Sequence, residues 1–348
     1  MTGPEEQGAA VPGGTARLKV PAALHGERLD RGLALLTGLP RSRVARLVAE
    51  GRARVGGRPA ASASRRLSQG ELLEVDLGEQ VGMGEAGGPQ ADHPVGGVPP
   101  AARWQGPPAA VVYADDDVLV VDKPAGLVVH PGAGNRAGTL VDELLREFPD
   151  LAGAGPDGDR PGIVHRIDKG TSGLLMVART SASRLALASQ LATRTVDRRY
   201  LAVVHGLVEA DEGMVDAPLG RSPRQRVKVA VVEGGRSART RYRCLGRSLA
   251  PLQASLLSCR LETGRTHQIR AHMAAIGHPV VADERYAKPS LVAEARRALP
   301  GLHRPWLHAA HLGFTHPTDG RRLEFDSALP GDLLAALALL GLEVPGET

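Results

Sequence analysis

Residues 79–109, EQVGMGEAGGPQADHPVGGVPPAARWQGPPA, are rich in glycine and proline and carry no repeating period. Glycine loses the most backbone freedom on ordering and proline lacks the N–H that a helix or ladder needs. Such a stretch reads as a flexible linker, and it forces whatever flanks it to fold separately. The chain is therefore expected to comprise a polar, disordered tail at 1–14, a compact segment at 15–78, the linker at 79–109 and a large domain at 110–348. At 348 residues, with 42% hydrophobic and 23% charged side chains, both folded parts can bury a core.

Bulk properties narrow the setting. Two cysteines, Cys244 and Cys259, are too few for a disulfide framework and lack the spacing of a metal site. That usage favours a reducing, cytoplasmic environment. The N-terminal MTGPEEQGAAVPGG has no basic patch ahead of an apolar run, so it is not a signal peptide, and no apolar run reaches the ~20 residues a bilayer span requires. The apolar tail LLAALALLGL reads as a packing helix from Leu333 to Leu342. The formal charge of +5 fits a polyanionic partner without requiring one.

Segment 15–78 has a readable design. Leu29, Leu33 and Leu36 in ERLDRGLALLTG fall at helical spacing, and PRSRVARLVAEG opens with Pro40 and closes with Gly51 just past the helix end. RARVGGRPA reads as strand, Gly-Gly turn and strand, and GELLEVDL alternates like a closing strand. Between 41 and 66, Arg41, Arg43, Arg46, Arg52, Arg54, Arg58, Arg65 and Arg66 face a single acid, Glu50. Guanidinium groups bind phosphate oxygens in pairs and release counterions, so a face of one sign attracts RNA or DNA; a solvated helix face is the plainer alternative.

In the large domain, Val118–Val121 and Leu127–Val129 read as strands joined by a Lys-Pro-Ala-Gly turn. GTLVDELLREFPD reads as a helix capped by Thr139, with Pro149 past its end. RRYLAVVHG, LLSCRLETG and WLHAAHLGFTHPTDGRRLEF alternate as strands with turns. The expected class is α+β with a mixed, largely antiparallel sheet, preceded by a small αα-β module.

One motif asks for chemistry. HRIDKGTSGLL sets Asp168 between Arg166 and Lys169, ahead of a Gly-Thr-Ser-Gly turn and an apolar strand. A turn aspartate bonding its own backbone is the plain reading. Two flanking cations favour a carboxylate kept ionised as nucleophile or base. GAGNRAG, from Gly132 to Gly138, lacks the dinucleotide spacing, and His267, His272 and His278 lack the H-E-x-x-H pattern of zinc hydrolases, so neither a nucleotide cofactor nor a metal is expected.

HRIDKGTSGLLMVA resembles the signature of the RluA/RluD-type pseudouridine synthases. The likeness continues in order through VDKPAGLVVHPGAGNRAGTLVDELL, RRYLAVVHG, LETGRTHQIRAHMAAIGHPVVAD and LHAAHLGFTHP, covering almost all of 111–326. It departs at Ile167, where leucine is usual, at Gly170, where an acid is usual, and in a longer linker. RLDRGLA, SRVARLVAEGRARVGG and LSQGELLEV resemble the S4 RNA-binding domain. With HPGAGNRAGTLV, that front end is similar to the RluD branch.

The resemblance implies a pseudouridine synthase fold and the cofactor-free isomerisation of specific uridines in 23S ribosomal RNA, in its helix 69 region, free or within pre-50S or 50S particles. It implies Asp168 as the catalytic carboxylate, Tyr200 stacking on a flipped-out base and Arg270 pairing with Asp168. Arg166 becomes a wedge or phosphate contact, Arg265 a phosphate contact, and Arg41, Arg43, Arg46, Arg52 and Arg54 the RNA face of the front module. The protein is expected to be a monomer. The alternatives are an RNA-binding factor with an inactive domain and a metal-dependent hydrolase built on the histidines.

Overall fold

The computed structural model describes residues 15–345, apart from 22–23, 38, 40, 77–103, 133–134, 136, 156–159, 224, 226–227 and the side chains of 41 and 42. The expected tail at 1–14 and most of the expected linker lie outside the described residues. The chain separates into two compact units, residues 1–96 and 97–348.

The first unit runs β1 (Thr15–Lys19), α1 (Leu29–Thr37), α2 (Arg41–Ala49), β2 (Ala53–Val55), β3 (Arg58–Pro59) and β4 (Leu72–Asp76). Its strands form an antiparallel sheet in the order β1-β4-β2-β3. Leu29 and Leu33 on one face of α1 meet Val44 and Leu47 of α2 over Leu73 and Val75 of β4. Gly51 (φ 72°) takes the left-handed conformation that ends α2 at little steric cost. β1 is absent from the sequence reading: TARLK lies at the sheet edge with every residue exposed or half-buried, so its pattern is weak and its partner β4 creates it.

The second unit holds β5 (Ala110–Ala114), β6 (Val118–Lys123), α3 (Leu140–Glu147), β7 (Ser172–Ala178), α4 (Ser181–Ala192), β8 (Asp197–His205), β9 (Glu212–Asp216), β10 (Leu219–Arg221), β11 (Val229–Val231), β12 (Arg239–Ser248) and β13 (Ala254–Leu261), followed by α5 (Gln268–Ala275), α6 (Pro289–Ala298), β14 (Leu307–Thr315), β15 (Arg322–Asp326) and α7 (Gly331–Leu339). Nine strands form one sheet in the order β5-β6-β7-β14-β8-β13-β12-β9, with β15 on β14. All its pairings are antiparallel except β7 with β14. The mixed, largely antiparallel expectation matches this sheet.

The central strands are apolar on both faces because both faces are covered. Leu119 and Val121 of β6, and Leu175 and Val177 of β7, join one core with Leu140 and Leu144 of α3 and Ile269 of α5. The alternate residues Val118, Val120, Leu174 and Met176 join a second core with Leu187 of α4. β14 changes sides: Leu307 and Ala309 face the first core, Leu312 and Phe314 the second, across a register shift between His308 and His311. A third core takes α7 through Leu333, Ala336, Leu337 and Leu340, each leucine contributing about 1.5–3 kcal/mol. The wholly buried Trp306 pins that helix by donating from Nε1 to the Leu333 carbonyl at 3.1 Å.

Three local expectations change. Leu127–Val129 is not a strand; it is buried loop whose carbonyls at Val128 and Val129 accept the amides of Leu140 and Val141 at the start of α3. The turn after Asp168 closes at Thr171, so Ser172 and Gly173 belong to β7. Gly173 (φ 109°) is required there, since a Cβ would lie 2.3 Å from the Ala309 carbonyl oxygen of the neighbouring β14. Lastly, Trp104–Ala109 packs on the second unit: Trp104 lies against its first core, and the Ala109 amide donates to Glu143 Oε2 at 3.3 Å.

Candidate active site

Asp168 stands at the end of an irregular run from Ile163, ahead of β7. Ile167 is buried in the first core and fixes the approach. The backbone just beyond is pinned from three sides. The wholly buried Lys123 donates from Nζ to the carbonyls of Pro124 (2.8 Å), Leu127 (2.9 Å) and Lys169 (3.5 Å). The Gly126 amide reaches the same Lys169 carbonyl at 2.6 Å, and Arg304 Nη1 reaches that of Gly170 at 3.3 Å. Burial pushes the Lys123 ammonium down to about 7, against the attraction of Asp168. The carboxylate partner of Arg304 is Asp332, at 2.6 and 2.8 Å.

The cations that flank Asp168 in sequence do not pair with it. Arg166 turns its Nη1 toward His130 Nε2 at 3.5 Å, and both Arg166 and Lys169 are exposed. The partner comes from 102 residues away: Arg270 Nη1 donates to Asp168 Oδ2 at 2.9 Å. Arg270 lies in the first turn of α5, and its other edge is gripped by the fully buried Asp283, with Nε to Oδ2 at 2.6 Å and Nη2 to Oδ1 at 2.8 Å. Its guanidinium carbon also lies 5.1 Å from the Tyr286 ring centre. Burial opposes the charge of Arg270, but the hydrogen bonds and charge of Asp283, reinforced by Asp168, more than offset it and raise its pKa.

Asp168 Oδ2 is thus occupied while Oδ1 remains free among the described residues. Oδ1 faces His267 Nε2 at 3.8 Å, beyond hydrogen-bond reach. His267 caps α5 in the left-handed region (φ 54°), with Nδ1 3.1 Å from the Tyr286 hydroxyl. Burial lowers its pKa against the pull of Asp168.

The side chain of Asp168 is 16% exposed, and what it meets is a cleft of about 640 Å³. That is the size of a site for one small molecule or one extruded nucleotide. Tyr200 of β8 lines it, on the strand face that also carries Ala202 and Val204. Burial pushes the Tyr200 phenol up to about 12, so it is neutral at ordinary pH. Arg160, Arg166, Arg194 and Arg265 line the same cleft as exposed cations. Asp168, Tyr200, Arg270, Arg166 and Arg265 therefore meet in one cleft.

The first unit carries the other arginines. Arg43 and Arg54 are exposed without an acidic partner among the described residues. Arg46 lies 4.0 Å from Glu50, and Arg52 pairs with Asp76 at 3.2 Å and with Glu50 at 3.9 Å. The Arg41 side chain is outside the described residues.

The histidines considered for a metal have separate tasks. His272 lies 2.9 Å from Thr240 Oγ1 and 3.0 Å from the Ala217 carbonyl, and His278 lies 2.9 Å from the carbonyl of His205. Among the described residues no three His, Cys, Asp or Glu side chains converge on a metal position. Sequence reasoning missed Asp283, His267 and Lys123 as members of this site. Asp283 and His267 stand inside a motif that carried the family likeness, but nothing in their spacing announces a contact with Arg270 or Asp168.

Comparison with known proteins bears on this geometry. The family model described as RNA pseudouridylate synthase matches residues 117–275, a span containing Asp168, Tyr200 and Arg270. The ribosomal large subunit pseudouridine synthase D of Nitrosomonas europaea is 42% identical over 93% of this chain and 87% of its own length. An uncharacterised RNA pseudouridine synthase of Mycobacterium bovis is 41% identical over 93% of this chain and 97% of its own. The solved structure of human RNA pseudouridylate synthase domain containing 1 superposes with a TM-score of 0.53 at 28% identity, over 66% of this chain and 87% of that one. Likeness of this extent, spanning the whole sheet and the cleft it supports, means that the chain belongs to the RNA pseudouridylate synthase family.

Proposed function

We propose that the protein isomerises uridines of large-subunit ribosomal RNA to pseudouridine, in the helix 69 region of 23S RNA, with Asp168 as the catalytic carboxylate. The relatives named for the large subunit support the substrate, since they align along nearly the whole chain. The observation that carries the catalytic reading is the split state of Asp168, with Oδ2 tied to Arg270 and Oδ1 open to the cleft beside Tyr200.

Pseudouridine formation breaks the N1–C1′ bond, turns the uracil, joins C5 to C1′ and transfers the C5 proton away while N1 gains one. No oxidant or outside group enters that balance. An ionised carboxylate at the sugar edge serves any of three routes: attack on C1′, addition to the base, or removal of the C2′ proton. Arg270 holds one oxygen in place through a charge-assisted hydrogen bond, which leaves the other as the reacting atom. The target base must leave its stack, at a cost of a few kcal/mol. Tyr200, neutral and lining the cleft, offers a stacking surface, while Arg166 and Arg265 offer contacts to the strand that stays behind. Arg43, Arg46, Arg52 and Arg54, with Arg41, form the phosphate-binding face of an S4-like front module. The proposal takes the protein as a cytoplasmic monomer meeting 23S RNA free or within pre-50S or 50S particles.

The test is Asp168→Asn with a large-subunit RNA transcript labelled with tritium at uracil C5. Tritium release falls to background while RNA binding stays within a few fold. Turnover by the variant at the wild-type rate refutes the assignment of Asp168.

A further inference from the structure

Two buried guanidiniums line the cleft, and only one is compensated. Arg270 is shared by two carboxylates. Arg198, on β8, is 5% exposed, its Nε meets no hydrogen-bond partner, and among the described residues no carboxylate pairs with it. The nearby acids are committed elsewhere: Asp197 to Arg260 at 2.9 Å, and Glu262 to Arg241 at 2.7 Å and Arg239 at 3.1 Å. Its neighbours in the cleft, His165 and Tyr200, are both uncharged, the imidazole pushed down to about 3 by burial and by Arg198 itself. A buried cation without a partner is strongly unfavourable, and an exposed rim arginine would serve general RNA attraction without that penalty.

The position makes sense only with an anion in the cleft. Arg198 and Tyr200 are two residues apart on one strand and so point to the same face, their Cα atoms about 7 Å apart. That spacing is comparable with the distance between a base and its own phosphate. Space for the guanidinium is cleared from across the cleft by Gly264, where a Cβ would stand 2.7 Å from Arg198 Nη1.

We infer that Arg198 is an RNA-binding residue within the catalytic cleft, holding a backbone phosphate oxygen adjacent to the extruded nucleotide. This rests on the proposed function and adds to it a named contact for the flipped residue. The rim arginines attract the strand; Arg198 takes up one phosphate only when the nucleotide enters. The charge of the phosphate then relieves the unpaired guanidinium, so binding energy is drawn from a group that the free protein keeps uncompensated.

The experiment uses the full chain, a large-subunit ribosomal RNA transcript, and the variants Arg198→Met, Arg198→Lys and Gly264→Ala. Wild-type tritium release from the transcript reports on the proposed function by itself. For Arg198→Met the expected results are RNA affinity weakened roughly ten- to a hundredfold, a salt slope of log K against log[salt] reduced by about one, and a melting temperature raised rather than lowered. Arg198→Lys restores the slope because it restores the charge. Gly264→Ala, which displaces the guanidinium without removing it, weakens binding in the same direction. A salt slope unchanged in Arg198→Met, with wild-type turnover intact, overturns the phosphate contact. A fall in its melting temperature overturns it also, by revealing a purely structural arginine.

Discussion

Asp283→Asn is the sharpest test of how the site is held. Asp283 is 0% exposed, and among the described residues its carboxylate accepts four hydrogen bonds: two from Arg270, at 2.6 and 2.8 Å, and two from the amides of Arg285 (3.0 Å) and Tyr286 (3.2 Å). Asparagine keeps the shape and one acceptor but turns an N–H donor toward a guanidinium that also only donates. Breaking one side of a buried ion pair costs about 3–5 kcal/mol, because the remaining charge stays buried. Asp168→Asn removes a single charge-assisted hydrogen bond from a partly exposed carboxylate, so its cost is about 1–3 kcal/mol. Urea unfolding followed through the buried Trp306 reads the difference directly. With slopes of roughly 1–3 kcal/mol per molar urea, the Asp283→Asn midpoint falls by roughly 1–5 M. Tritium release also falls although Asp283 does not line the cleft, since Arg270 loses the anchor that aims Asp168. A midpoint shift no larger than that of Asp168→Asn would show that Asp283 is not the anchor of Arg270.

Three other outcomes are expected. Asp168→Asn abolishes tritium release with RNA binding retained, as set out above. His130 is pushed down to about 4 by burial and by Arg160 and Arg166, and His165 to about 3 by burial and Arg198. The unfolded chain therefore binds more protons than the folded one between their folded values and about 6.5, and stability falls as pH drops through that window by up to ~1.4 kcal/mol per pH unit per histidine. His165→Gln flattens this acid limb in urea titrations from pH 6.5 to 4; an unchanged limb contradicts a neutral His165 in the folded protein. In the first unit, Arg43→Gln with Arg54→Gln lowers the salt slope of RNA binding by about two, and Arg52→Gln by less because Asp76 and Glu50 already engage it. Equal effects from paired and unpaired arginines would count against a phosphate-binding face.

Much of this protein is legible in the chain because its signals are local. The helix at Leu29–Thr37 follows from leucine spacing, the hairpin after Arg52 from consecutive glycines, and the helix at Leu140–Glu147 from Thr139 ahead of it and Pro149 past its end, the Thr139 amide donating to the Asp142 carboxylate at 2.8 Å. Periodicity misread Leu127–Val129 as a strand because burial was the only quantity it could report. That loop is apolar since it lies under α3, and its carbonyls are satisfied by helix amides rather than by a ladder. β1 escaped for the opposite reason, being an edge strand with little to bury.

The catalytic motif shows the same division. Sequence determined that an aspartate sits between cations ahead of a buried strand, and its likeness to a known family singled out Tyr200 and Arg270 with it. That likeness also implied Arg270 as the partner of Asp168, but only the tertiary structure set the flanking cations aside, because ion pairs depend on distance through space, and sequence neighbours on a loop point apart. It alone shows Asp283 clamping Arg270, Lys123 pinning the turn by its carbonyls, and Arg198 buried with no counter-charge. Those contacts join residues up to 102 positions apart, and no local pattern encodes them.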